Sequence, residues 1–358
     1  MKLCKCIFII IATCSLLLFV TWCLWNIFSK YRISAEITNS TSSTSSLGKV
    51  IIDVDAGPDD ALALLLALAS EKIDNNGLEV LAVTCTYGNT VLENVITNVR
   101  KTLTVANRSD ISIYAGAAKP LIQKYTPDKY FGEDGLGDFD FEDEITAQLN
   151  KSEQAALIMV SLVQQYPGEV TILALGPLTN LALAMSLDAT FADHVKQLYI
   201  MGSSVANRGN IQSNLEFNFS LDPESNFIVL NATTSSRSVL CPWETNLKLP
   251  ITRDWRENVL GSLNSKAIKF LNKAERISIT YSTNWYSADT VCVASLLWPE
   301  FIRELTVTNT YPVIDGSARG SVIVDYTYSS GRPNNTDIVQ LVDMELLKNI
   351  LLKYLGGE

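Results

Sequence analysis

The apolar segments of this chain run unbroken instead of alternating with polar residues. VIIDVDA (50–56), LEVLAVTCTY (78–87), ISIYAG (111–116), EVTILALG (169–176), VKQLYIMG (195–202) and SSRSVLCPW (235–243) recur with helix-length stretches between them. A strand with one wet face alternates, whereas a continuously apolar strand must be covered on both faces. The pattern therefore predicts an α/β fold: an open, mostly parallel, Rossmann-like sheet with helices on both faces. With 358 residues, 47% of them hydrophobic, the chain can bury such a core.

In open sheets of this kind ligands bind beyond the carboxyl ends of the strands. Polar clusters stand at those ends: DVDAGPDD after the first run, TYGNT after the second, GPLTN after the fourth and MGSS after the fifth. They are expected to converge on one crevice. The stretch from Leu249 to Tyr286 breaks the rhythm and is expected to form a flap over it.

The first cluster packs Asp53, Asp55, Asp59 and Asp60 into eight positions. Asp53 and Asp55 are two apart on a strand end and share a face. Asp59 and Asp60 open a helix, whose dipole favours negative charge but does not neutralise four carboxylates. Capping accounts for one or two of them. A hard divalent cation, which takes carboxylate, carbonyl and water oxygens, accounts for the whole set.

These residues resemble the DxDPGxDD signature of the nucleoside hydrolase (inosine-uridine preferring N-ribohydrolase) family, with Ala56 in place of the usual proline. TYGNT (86–90), GEDGLGD (132–138), LGPLTN (175–180), YIMGSS (199–204), GNIQSNLEFNFSLDPES (209–225) and SADTVCVA (287–294) are similar to further family blocks in the same order. The resemblance covers almost all of Gly48 to Leu355. It implies the nucleoside hydrolase fold and hydrolysis of the N-glycosidic bond of ribonucleosides to free base and ribose. It also implies a Ca²⁺ cofactor that holds the ribose hydroxyls and a water.

By motif position the resemblance makes Asp55, Asp60, Asp289 and the Leu175 carbonyl the metal ligands, with Asp55 as the base that deprotonates the water. Asp59, Asn89, Met201, Asn210, Glu216 and Asn218 match ribose-binding positions, and Asp53 is expected behind the ligands as a support. The histidines usual in pyrimidine-accepting members are replaced by Phe131 and Ala288, and the single histidine, His194, is expected at the surface. Stacking of the base on Phe131, Tyr281, Trp285 and Tyr286 is the expected substitute, favouring purine nucleosides slightly. Turn formation by Asn89 and Asn210, and flap packing by the aromatics, are the structural alternatives.

Two other functions compete. A membrane-tethered protein that binds Ca²⁺ and nucleosides without turning them over explains the missing histidines. A haloacid-dehalogenase-like phosphatase also has paired strand-end aspartates, but the GPLTN and EFN blocks have no place in it.

A net charge of −10 argues against nucleic acid polymers as partners. Residues Cys6 to Phe28 carry no charge and are long enough to span a bilayer. The expected layout is a stub and signal anchor (or cleaved signal peptide) at 1–32, a Ser/Thr-rich stalk at 33–47 and the hydrolase domain at 48–358. That places the domain outside the cell or in the lumen, as a single-pass type II protein, or secreted if the segment is cleaved. Six N-x-S/T sequons, at Asn39, Asn107, Asn150, Asn218, Asn231 and Asn334, fit that side of the membrane. Asn218 is expected to stay unglycosylated because the family match buries it, and a mass-spectrometric site map reads this directly. The resemblance also implies a homodimer or homotetramer, with the number open.

Overall fold

The computed structural model describes residues 47–74, 77–232 and 236–357. Leu47–Glu358 forms one compact unit. The N-terminal apolar segment, the stalk and the sequon at Asn39 lie outside the described residues. Among the described residues no helix is long and apolar enough to cross a membrane.

The six apolar runs become strands β1 (Gly48–Val54), β2 (Leu78–Cys85), β3 (Ile113–Ala115), β5 (Val170–Ala174), β6 (Gln197–Met201) and β7 (Ser238–Cys241). With the two-residue β4 (Leu149–Asn150), β8 (Ile302–Thr308) and β11 (Thr336–Val342) they make a nine-stranded sheet in the order β4-β3-β2-β1-β5-β6-β7-β11-β8. Every pairing is parallel except β11 with β8, which closes one edge antiparallel. A small hairpin, β9 (Thr310–Pro312) with β10 (Val322–Val324), stands apart.

Successive side chains of β1 enter two different cores. Val50, Ile52 and Val54 pack in one and Ile51 in the other, as the pleat requires for a strand covered on both sides. The first core takes the inner faces of α1 (Pro58–Asp74), α2 (Leu92–Val105), α7 (Lys266–Ala274), α8 (Ala288–Leu297) and α9 (Met344–Gly356). The second is built with α3 (Ala155–Gln165), α4 (Thr179–Leu187) and α6 (Pro223–Ala232), next to the short α5 (Phe217–Leu221).

α1 is buried from Pro58 to Ser70 apart from Asp59 and Ala69, α8 is buried throughout, and the two pack on each other. This explains why ALALLLALA shows no polar stripe. Each fully buried leucine there contributes about 1.5–3 kcal/mol.

The sheet reverses its direction of growth at β1, with β2 on one side and β5 on the other. The carboxyl ends of β1 and β5 therefore flank the crevice that such a switch point creates. The segment 249–286, expected as a flap, borders the crevice with its last part, from Glu275 to Tyr286. It contains a short helical turn at Arg253–Trp255, a wider π-helical turn at Arg256–Leu260, α7 and a single turn at Ser278–Tyr281. Its two ends are stapled together where Arg253 N–H donates to Thr283 O at 2.9 Å and Trp285 N–H to Ile251 O at 2.8 Å.

Candidate active site

The end of β1 delivers Asp55 to the crevice but not Asp53, contrary to the shared face expected of them, and the turn Ala56–Gly57 swings the chain into α1. Ala56 adopts φ 46°, a conformation closed to a proline ring, so the proline usual at this point of the motif does not fit this turn. The turn is organised by Asp60. Its Oδ1 accepts the Asp55 N–H at 3.2 Å and its Oδ2 the Gly57 N–H at 2.8 Å and the Asn89 side chain at 3.3 Å. Asp55 in turn accepts the Asn89 N–H at 2.9 Å. Gly88 permits that approach, because a Cβ there would lie 1.9 Å from Asp55 Oδ2.

Asp53 faces away from the crevice and supports it from behind. Its Oδ1 accepts Thr84 Oγ1 at 2.6 Å and Asn180 Nδ2 at 2.8 Å, and Asn180 also donates to Cys85 O at 3.1 Å. One carboxylate thus ties together the ends of β1, β2 and α4.

The N-termini of α1 and α8 converge on the floor. Oxygens of Asp59, Asp60 and Asp289 lie within 4.8 Å of one another. The group differs from the expected ligand set in holding Asp59 where Asp55 was placed. Asp55 stands beside it, turned toward Asn89. The Leu175 carbonyl, at the end of β5, accepts Asn218 Nδ2 at 2.7 Å.

Burial is the main cause that pushes these carboxyls up. Repulsion from neighbouring carboxylates adds to it for Asp59, to about 8, and for Asp55 and Asp289, well above the usual range; burial carries Asp60 to about 6 against the hydrogen bonds it accepts. Burial likewise carries Asp53 to about 7 against its two hydrogen bonds. Asp59 Oδ1 is buried with no hydrogen-bond partner, and no lysine, arginine or histidine lines the cleft among the described residues. An all-oxygen donor set with uncompensated negative charge fits a hard divalent cation.

The cleft has a volume of about 300 Å³, at the small end of the range for ligand sites. Of the sequence-predicted residues, Asp55, Asp59, Asn89, Phe131, Leu175, Met201, Asn210, Glu216, Asn218, Trp285, Tyr286 and Asp289 line it. Asp53 and Asp60 are not among its lining residues, although Asp60 belongs to the carboxylate group on its floor. Tyr281 does not line it: this ring is 57% exposed and leans on Tyr130 at 5.1 Å between centroids. Tyr281 therefore does not stand where stacking on a base was expected of it, since the single turn at 278–281 leaves its ring largely exposed. His194 ends a short helix ahead of β6, at the opposite end of the strands.

Glu216 and Asn218 carry structural duties as well. Glu216 caps α5, accepting the N–H groups of Asn218 at 2.9 Å and Phe219 at 3.1 Å, and it also accepts Ser203 N–H at 3.0 Å. Burial pushes its carboxyl to about 7 despite these donors. Asn218 is 5% exposed, with its amide on Leu175 O and Met201 Sδ. Asn107, Asn231 and Asn334, by contrast, head sequons at the exposed surface.

Trp243, Tyr130, Ile279, Asn284 and Glu275 line the cleft without having been singled out from sequence. Trp243 follows β7 by two residues and pairs with Tyr286 at 5.4 Å between centroids. The strand-end rule that picked out the aspartates reaches it too. Glu275, at the end of α7, carries no such signal. With these residues the cleft has a carboxylate floor and an aromatic wall of Tyr130, Phe131, Trp243, Trp285 and Tyr286.

Residues 50–349 match the family model described as inosine-uridine preferring nucleoside hydrolase. A probable uridine nucleosidase 2 of Oryza sativa subsp. japonica is 37% identical over 187 residues, 51% of this chain and 53% of the relative. The pyrimidine-specific ribonucleoside hydrolase RihA of Salmonella newport is 28% identical, over 86% of this chain and 97% of its own. Among solved structures, an inosine-guanosine nucleoside hydrolase superposes with a TM-score of 0.79 at 27% identity, over 87% of this chain and 99% of its own. The match spans about half the length of the plant relatives. Because the family match runs from β1 into α9 and takes in the carboxylate floor, the chain belongs to the inosine-uridine preferring nucleoside hydrolase family.

Proposed function

We propose that the protein hydrolyses the N-glycosidic bond of ribonucleosides, releasing free base and ribose, with a Ca²⁺ ion on the carboxylate floor. The observation that carries this reading is the division of one nucleoside-sized cleft into a carboxylate floor and an aromatic wall. A sugar, with its row of hydroxyls, suits the first, and a flat base suits the second.

Asp60, Asp289 and the Leu175 carbonyl would hold the cation with Asp55, and Asp59 completes the carboxylate group. When bound, the ion supplies a positive charge that fixes the ribose diol and lowers the pKa of water. Asp55 takes the proton of the attacking water, and the Asn89 N–H keeps its carboxylate aimed. The remaining carboxylates stabilise the positive charge that grows on the sugar as the bond to the base breaks. Asn89, Asn210, Glu216 and Asn218 orient the hydroxyls, with Met201 packing beside the ring.

On the other side of the scissile bond, Phe131, Trp285 and Tyr286 stack the base and shield it from water. A wall of this area supports a purine preference, although relatives bear both uridine and inosine-guanosine names. The uncharged run Cys6–Phe28 supports a lumenal or outward-facing placement.

The test is free-base release by the full-length chain from inosine, guanosine, adenosine, uridine and cytidine, with Ca²⁺ or with chelator, beside Asp55→Ala. Calcium-dependent release that is lost in the variant is the expected result. Nucleoside binding without release in a correctly folded sample would instead establish a non-catalytic nucleoside-binding protein.

A further inference from the structure

Beside the aromatic wall lies a buried ion pair whose carboxylate, Glu275, lines the cleft and whose cation, Arg256, does not. Glu275 is 5% exposed and Arg256 1%. Glu275 Oε2 sits 2.8 Å from Arg256 Nε, and its Oε1 accepts the indole N–H of Trp285 at 3.1 Å. Arg256 is held on its far side by Asn272 Oδ1 at 2.8 Å, and its guanidinium carbon lies 5.8 Å from the Trp285 ring centroid. It issues from the π-helical turn, where Gly261 N–H reaches back five residues to Arg256 O at 2.7 Å. Such turns recur at functional sites.

Stability does not account for the arrangement. Burying two charges costs about as much as their attraction returns, and apolar residues of the same size generally do as well or better. A second pocket of about 410 Å³ is lined by both Arg256 and Glu275 but not by Trp285, which is 6% exposed and packs in the first core. Packing alone leaves the indole N–H a buried donor, and Glu275 is the partner that satisfies it.

The other aromatics differ. Tyr281 touches Tyr130 and is largely exposed. The Tyr286 hydroxyl accepts a 3.3 Å bond from Asn284, two residues away in the chain. Among the described aromatics of the wall, Trp285 alone is pinned by a buried charge.

We propose that Glu275, itself held by Arg256, is a positioning residue that fixes Trp285 as the rigid face on which the nucleoside base stacks. The pair thereby sets selectivity between bicyclic and monocyclic bases. This rests on the functional reading above for the site, and it assigns the two charges to base discrimination, not to bond cleavage. A fixed indole gains contact area in proportion to the ring it meets, so a purine gains more from it than a pyrimidine. A mobile indole loses that difference first.

The experiment compares the full-length wild type with Glu275→Gln, Trp285→Phe and the size-matched double variant Arg256→Met/Glu275→Met. Calorimetric binding of inosine, uridine and ribose in Ca²⁺ is measured with each variant placed in an Asp55→Asn background, so that substrate is not consumed, alongside kcat and KM for both nucleosides with Asp55 intact. Glu275→Gln keeps an acceptor for the indole N–H but removes the charge that holds Arg256, and Trp285→Phe keeps a ring but removes the N–H.

The expected result is a roughly tenfold weaker binding of inosine and a matching rise in its KM in Trp285→Phe and the double variant. Uridine changes less than threefold, ribose binding is unchanged, and kcat moves little. Glu275→Gln falls between these and the wild type. An equal loss for inosine, uridine and ribose, or an unchanged inosine-to-uridine ratio in a double variant that melts cooperatively, overturns the proposal. Binding ratios are read without turnover, so an inactive wild type would count against the hydrolase reading while the positioning role is still measured.

Discussion

Replacing Gly88 by alanine tests the placement of Asp55 directly. The new methyl would stand 1.9 Å from Asp55 Oδ2 and 2.7 Å from its Cβ, where ordinary contact begins at 3.4 Å. Residue 88 does not retreat easily. Its N–H donates to Thr90 O at 3.2 Å and its carbonyl accepts the Tyr125 hydroxyl at 2.8 Å. Asp55 must therefore swing away by about 1.5 Å and lose the Asn89 N–H that aims it. Misplacing a reacting group by about 1 Å costs on the order of 10²-fold in rate, which is about 2.7 kcal/mol of barrier. Overpacking adds a stability loss of about 1–3 kcal/mol.

The assay is base release at saturating substrate and Ca²⁺, with thermal unfolding followed by circular dichroism. Gly168→Ala is the control, since φ 76° makes it strained while nothing lies within 4 Å of the added carbon. It should lose stability and keep its rate. A Gly88→Ala protein that folds cooperatively and turns over within about threefold of wild type would refute the placement, because a misaimed base costs about two orders of magnitude.

Other expectations follow from the same turns. Ala56→Gly should raise stability by about 1 kcal/mol by relieving the left-handed conformation, whereas Ala56→Pro should unfold the turn; a proline variant as stable as the parent in urea would show that the φ of 46° is not required. Calcium at about one hundred times its dissociation constant should stabilise the wild type by about 2.7 kcal/mol, and Asp289→Asn should lose most of that gain; a melting temperature indifferent to Ca²⁺ and chelator would remove the metal from the floor. Burial acts against the Glu244 charge, but donation by Ser204 Oγ and the N–H groups of Val205, Ala206 and Arg208 prevails and holds its carboxyl below the ordinary 4.5. Its contribution is thus fully present above pH 4.5 and lost as pH falls through the lower folded value. Glu244→Gln should cost about 1–3 kcal/mol at neutral pH and flatten that acid limb, so an unchanged acid limb in an urea series would count against the loop anchor.

The parallel strands were legible because burial on both faces leaves an unmistakable apolar run, as in VIIDV and VTILA. β8 and β11 were not, since IRELTVT buries only its last residue at the edge and TDIVQLV mixes polar with apolar. β4, two residues long, leaves no pattern at all. At the site, residues tied to strand ends were readable from position alone, and by the same rule Trp243 was within reach. Glu275 and Arg256 were not, because their meaning arises only when α7 brings a distant carboxylate against Trp285. The shift of Tyr281 out of the cleft is likewise invisible in SITYSTNWY, where only three residues separate it from Trp285 but a single helical turn leaves it exposed.

The floor of the cleft joins the first strand of the domain to a helix that begins more than two hundred residues later, at Ala288. During synthesis, Asp55, Asp59 and Asp60 leave the ribosome long before Asp289 exists. Until α8 docks along α1, their charges stand without the fourth carboxylate and the helix that closes the floor. The carboxylate group is consequently a marker of completed folding: a nascent or truncated chain that stops short of α8 lacks it, however well β1, β2 and β5 have paired. Long-range closure of this kind makes folding slow, and a chain arrested before it would expose the greasy face of α1 to chaperones and not a formed site to its substrate.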